Sequence, residues 1–139
     1  MANEWTKVEL LGPNRDGEVR RFTIADGTPV SKGTLMELTD PRTVTVSDGA
    51  SAVFAGVTME SKNADDGATS IGCWTQGVFE VSCSGGVTLG YPVTGAGTNQ
   101  VKVLADTASG ATVAALASVI GQSFETGADA EVINVRLDL

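Results

Sequence analysis

The sequence predicts an all-β protein: a compact barrel or sandwich built from two tandem repeats of short strands, with an extended N-terminal arm and room for one short helix. Three observations predict it. Thr, Val and Ser recur through a chain that carries 17 glycines and few aromatics, the composition of short strands joined by tight turns. Turn chemistry recurs at short intervals. The hydrophobic pattern of the first half returns in the second, the mark of an internal duplication. With 139 residues, the chain divides into an arm over 1–20 and a single β domain over 21–139. A domain of this size buries roughly two-thirds of its unfolded surface.

The first twenty residues have no counterpart in the second half. Trp5, Val8, Leu10 and Leu11 are apolar positions on a segment interrupted by Gly12-Pro13-Asn14, and Arg15, Arg20 and Arg21 concentrate positive charge behind them. Such a segment reads either as an arm that docks on a partner or as a strand capping the protein's own barrel.

The repeats run over about 19–76 and 77–139. At an offset of 57, Phe22-Thr23-Ile24 falls on Phe79-Glu80-Val81, Val30 on Val87, Gly33 on Gly90, Met36 on Val93, and Val44 and Val46 on Val101 and Val103. About eight extra residues then enter within Ala105 to Ala117, and the match resumes at an offset of 65. There Phe54-Ala55-Gly56 falls on Val119-Ile120-Gly121, Met59 on Phe124, and Glu60-Ser61 on Glu125-Thr126.

Strands are expected at about 19–25, 28–38, 43–47, 52–60 and 68–75, and again at 77–83, 87–94, 100–105, 117–125 and 130–138. Ile133, Val135 and Leu137 share one face, and Val44 and Val46 alternate with threonines, as half-buried strands require. Asp26-Gly27, Ser47-Asp48-Gly49, Asp65-Asp66-Gly67, Ser84-Gly85-Gly86 and Gly95-Ala96-Gly97 supply the turns. Gly56 and Gly121 sit inside apolar strands, where glycine marks a bulge or a close backbone approach. The alanine-rich stretch Ala111–Ala117 fits one or two helical turns or a long hairpin tip.

Nine basic residues against seventeen acidic ones give a net charge of −8. This balance argues against nucleic acid and against an anionic membrane surface, and it suits a protein kept soluble at high copy number. There is no apolar run of about 18 residues to cross a membrane, and the start Met1-Ala2-Asn3-Glu4-Trp5 lacks the layout of a secretory signal. Cys73 and Cys83 flank a turn, so a bridge is geometrically open to them, but two buried inert thiols are the simpler expectation.

No histidine is present, which removes Ser-His-Asp and Cys-His nucleophile pairs and histidine zinc sites. No phosphate-binding glycine loop occurs. Glu60 and Glu125 occupy equivalent repeat positions and form the one carboxylate pair of interest, yet duplication alone explains their symmetry. Asn63-Ala64-Asp65-Asp66-Gly67 clusters calcium-type oxygen ligands without the spacing of a calcium loop. Trp5 and Trp74, distant in sequence, read as core packing before sugar stacking. The expectation is a protein with no catalytic site, no metal and no cofactor.

Phe54-Ala55-Gly56-Val57-Thr58-Met59-Glu60 and Val119-Ile120-Gly121-Gln122-Ser123-Phe124-Glu125 resemble the hydrophobic-x-Gly-x-x-x-Glu stretches of phage capsid cement, or head decoration, proteins. There, as in Gln76-Gly77-Val78-Phe79, a turn and strand lead into a Gly-Val step, and the chain ends within a strand. The resemblance implies a compact barrel or β-tulip-like body that serves as a structural virion protein on the outside of the expanded capsid, made in the host cytoplasm. Its partners would be the major capsid protein and two further copies in a homotrimer, with no nucleic acid and no membrane. Capsid contact would then fall to Trp5, Val8, Leu10, Leu11, Arg15, Arg20 and Arg21, and deleting residues 1–20 should abolish it while sparing the barrel. The competing class is a β-rich binding or adhesin module for carbohydrate or a cell surface.

Overall fold

The computed structural model describes residues 3–9, 19–49, 53–104 and 118–139, and its regular elements are all strands. In order they are β1 (Thr6–Glu9), β2 (Val19–Ile24), β3 (Leu35–Asp40), β4 (Thr43–Val46), β5 (Phe54–Thr58), β6 (Ser70–Trp74), β7 (Gln76–Cys83), β8 (Pro92–Ala96), β9 (Gln100–Val103), β10 (Gly121–Ser123) and β11 (Val132–Asp138). The Ala111–Ala117 stretch lies outside the described residues.

Strands β2 to β6 close into a barrel in the order β2-β4-β3-β5-β6. Strands β7 to β11 repeat the same circuit: β7 pairs β11, then β10, β8 and β9 follow, and β9 returns to β7. In both barrels the closing pair is parallel and every other pair is antiparallel. The duplication is therefore a duplication of topology, and closure leaves each unit few free edges.

Register refines the repeat. The Met36–Gly56 pair corresponds to Val93–Gly121, and the isolated bridge Val30–Lys62 corresponds to Val87–Gly127, which gives the offsets of 57 and 65 read from sequence. The first strand differs. Ile24 pairs Val44 as Cys83 pairs Val101, so Phe22 corresponds to Val81, and Arg20 to Phe79. The alignment of Phe22 with Phe79 is two residues out. A slip of two keeps every side chain on its face, so the alternation could not reveal it. Likewise the Val19–Trp74 pair corresponds to Val78–Arg136.

The expected long strands 28–38 and 87–94 are each broken. Val30 and Val87 make single bridges, a turn follows at Gly33 or Gly90, both with positive φ of 86° and 85°, and β3 or β8 begins beyond it.

The first barrel is filled by Ile24, Val30, Met36, Val44, Ala55, Ile71 and Cys73. The second is filled by Phe79, Val81, Cys83, Val87, Val93, Val101, Ile120, Ile133, Val135 and Leu137, and this cluster runs on into Trp5, Leu35, Phe54, Val57 and Trp74. Those last five residues lie outside the second repeat and join the barrels. Burial of each such large side chain is worth about 1.5–3 kcal/mol, which holds the two units together.

The joint has close backbone contact as well as apolar packing. Phe54 lies against Gly95, where a side chain would collide with its ring at 2.7 Å. Gly49 approaches the Ala96–Gly97 turn so closely that no side chain fits. Asn99, fully buried, accepts a 2.9 Å hydrogen bond from the Leu35 N–H through Oδ1.

Candidate interaction surfaces

The N-terminal segment is part of the body. Trp5 is only 4% exposed. Its ring centroid lies 5.8 Å from that of Phe79, its N–H donates to the Gly33 carbonyl at 2.7 Å, and its indole N–H donates to the Asn99 carbonyl at 3.1 Å. β1 then pairs antiparallel with β7 of the second barrel. Deleting residues 1–20 would remove this wedge together with the first residues of β2. Such a deletion is therefore expected to disturb the joint between the barrels as well as any partner contact. Of the other candidate contact residues, Val8 is exposed on β1, and Arg20 and Arg21 are exposed on β2. Leu10, Leu11 and Arg15 lie outside the described residues.

Glu60 and Glu125 do equivalent structural work in their own barrels. Glu60 accepts from the Gly72 N–H at 3.1 Å, and Glu125 accepts from the Asn134 N–H at 2.7 Å, positions that correspond in the repeat. Each carboxylate ties the segment after one strand to the next strand.

The oxygen cluster at Asn63–Gly67 encloses a lysine. The Lys62 side chain is 3% exposed, and its ammonium donates to the Asp66 carboxylate at 2.9 Å and to the carbonyls of Asn63 and Asp26 at 3.0 and 2.5 Å. Asp66 also accepts from the Asn63 and Ala68 N–H groups, and Asp26 from that of Gly67. Burial lowers the tendency of Lys62 to carry charge, but its hydrogen bonds to Asp66 and Asp26 outweigh this and hold its pKa above the ordinary lysine value. The bond from Lys62, followed by those from the backbone, keeps Asp66 below the usual carboxylate range. The ammonium thus lies among the oxygens of this cluster. Among the described residues no group of three or more Cys, Asp or Glu is arranged to hold a metal.

Cys73 and Cys83 are free and buried, one in each barrel core. Burial, reinforced by the nearby Glu60 charge, pushes the Cys73 thiol up to about 12. Trp74 is buried at the joint, with the ammonium groups of Lys7 and Lys32 each 5.7 Å from its ring centroid.

Two further exposed surfaces stand out among the described residues. At the free end of the second barrel Leu89, Tyr91 and Phe124 are all more than two-fifths exposed. Gly90, Pro92 and Gln122, close to them in the chain, line a cleft together with Arg136. Hydrogen bonds join the segments that carry them: Gly90 N–H to the Ser123 carbonyl, Ser123 N–H to that of Tyr91, and Leu89 N–H to the Thr126 hydroxyl. At the far end of the first barrel Arg20, Arg21 and Arg42 surround Phe22 in a basic hollow. Neither surface was singled out from sequence, although the basic hollow includes two arginines that were.

Two barrels of identical circuit, wedged by an N-terminal tryptophan, form the frame for comparison with known proteins. The fold is similar to that of a phage head fiber base. The solved structure is the N base of head fiber gp8.5 in bacteriophage phi29, superposed with a TM-score of 0.55 over 87% of this chain and 95% of that one, at 13% sequence identity. No protein-family model matches the chain, and no curated protein matches it. The likeness is one of fold.

Proposed function

We propose that this is a non-enzymatic structural protein of a phage virion, which binds the outside of the expanded capsid and stabilises contacts between major capsid subunits. The observation that carries the reading is the shared fold with a head fiber base across nearly the full length of both chains. The sequence resemblance to capsid cement proteins points the same way. The acidic net charge of −8 keeps a protein present in many copies soluble. The described exposed candidates for capsid contact are Val8 on β1 and, on β2, Arg20 and Arg21, whose charge suits an acidic partner. A modest interface suffices, because trimers on a lattice multiply weak contacts.

The experiment is to image purified virions of the phage that encodes the chain and fit the two barrels to the density. Density for them on the outer surface between capsid subunits supports the proposal. Density confined to the tail, or none, refutes it. The exposed aromatics Tyr91 and Phe124 favour one second reading, a carbohydrate-binding module of a virion, and saturable glycan binding lost in Tyr91→Ala would select it.

A further inference from the structure

The two barrels present equivalent faces in opposite circumstances. In the first barrel the face formed by Gly33, Leu35, Val57 and Trp74 is buried: Trp5 bonds to Gly33, Asn99 of the β8–β9 turn of the second barrel bonds to Leu35, and Phe79 of β7 packs on Trp74. The repeat maps these four residues onto Gly90, Pro92, Gln122 and Arg136, which are all exposed. A side chain at Gly33 would strike the Trp5 backbone, whereas one at Gly90, of the same φ, would meet nothing within 4 Å. The reverse holds for the covering turn. Asn99 is buried in the joint, while its counterpart Arg42, which has the same φ of 59°, is exposed at the far end of the molecule.

We infer that the open face of the second barrel docks the open β3–β4 turn of another copy of this chain, repeating between molecules the head-to-tail packing that exists within one. This contact goes beyond the proposed capsid binding and does not depend on it.

The residues at the two ends match each other. Within the chain, the Leu35 N–H donates to Asn99 Oδ1. At the equivalent positions Pro92 has no N–H to donate and Arg42 has no side-chain oxygen to accept, so the copied contact strands neither group. Arg136 and Asp138 at one end and Asp40 and Arg42 at the other, all exposed, offer opposite charges in both directions. Leu89, Tyr91 and Phe124 add an apolar rim where the first barrel has Lys32, Thr34 and Met59. The polar centre, with Gln122 and Arg136 replacing Val57 and Trp74, suits a face that is wet in the single chain and covered reversibly. A head-to-tail contact either closes into a ring, a trimer among others, or continues as a filament.

The test is analytical sedimentation of the full chain at rising concentration, alone and with the substitutions Tyr91→Glu and Arg42→Glu, one on each face. The expected result is association of the natural chain beyond a dimer and at least a ~10-fold weaker association for each variant. An equal mixture of the two variants is then expected to form a dimer and stop there, because one intact face survives on each partner. A natural chain that stays single at every concentration overturns the proposal. So does Arg42→Glu leaving association unchanged, which would mean that two second-barrel faces meet each other instead.

Discussion

The indole N–H of Trp5 donates a 3.1 Å hydrogen bond to the carbonyl of Asn99, across 94 residues of sequence. It fastens the N-terminal segment into the joint where Asn99 also receives the Leu35 N–H from the first barrel. Three segments therefore meet at Asn99: the arm, the start of β3 and the β8–β9 turn. Trp5→Ala is expected to cost about 3–5 kcal/mol for the lost ring. Trp5→Phe, which keeps apolar volume but removes the indole hydrogen bond, is expected to cost less, about 1 kcal/mol for that bond. Urea unfolding of both variants gives the comparison, and equal stabilities would separate Trp5 from the core.

Gly33 and Gly90 form a matched pair, since both have positive φ near 85°. Gly90→Ala is expected to cost only the conformational penalty, about 1 kcal/mol. Gly33→Ala adds a collision with the Trp5 backbone, whose nitrogen would lie 3.0 Å from the new carbon, so its cost should exceed that of Gly90→Ala by at least ~1 kcal/mol. Thermal melts of the two single variants measure the difference, and equal losses would argue against the wedge.

The Lys62 cluster should shape stability against pH. Asp66 has a depressed pKa in the fold, so its contribution is complete above the ordinary carboxylate value and is lost as pH falls through the depressed one. Lys62 has a raised pKa, so its contribution is complete below the ordinary lysine value and is lost as pH rises through the raised one. Lys62→Met should therefore lower stability at neutral pH and flatten the acid limb of the profile. Added calcium should leave the melting temperature of the natural protein unchanged, because the ammonium holds the place between Asp26 and Asp66.

Cys73 gives an alkaline signature. Its folded pKa, raised to about 12, means that the neutral thiol's contribution is complete below the ordinary cysteine value and declines as pH climbs toward 12. At neutral pH, reaction of Cys73 with a thiol reagent should be limited by opening of the fold and should accelerate on addition of urea. Rapid labelling of the native protein would show the first barrel core to be open to solvent.

Much of the fold was legible because a barrel strand writes its inner face into sequence. Val44 with Val46, and Ile133 with Val135 and Leu137, gave strand positions that the structure reproduces within a few residues. The repeat was legible wherever β-branched residues and glycines recurred in phase. The two-residue slip between β2 and β7 was not, since parity is all that alternation reports. Nor was the head-to-tail joint: Leu35, Val57 and Trp74 differ from Pro92, Gln122 and Arg136 in polarity, but only the three-dimensional packing shows that one set is covered and the other open. Trp5 was recognised as an anchor, and its indole turned out to fit this protein's own joint. Lys62 gave no sequence signal, because a lysine beside two aspartates reads as a solvated turn until its side chain is seen to lie inward.

The most direct measurement of the central claim is the number of copies bound per head, counted by sedimenting the purified protein with stripped heads of the phage that encodes it. Saturation near one copy per major capsid subunit on expanded heads, with none on unexpanded shells, is the result expected of a capsid-stabilising protein. Equal binding to both shell forms, or no binding at any concentration, would contradict it.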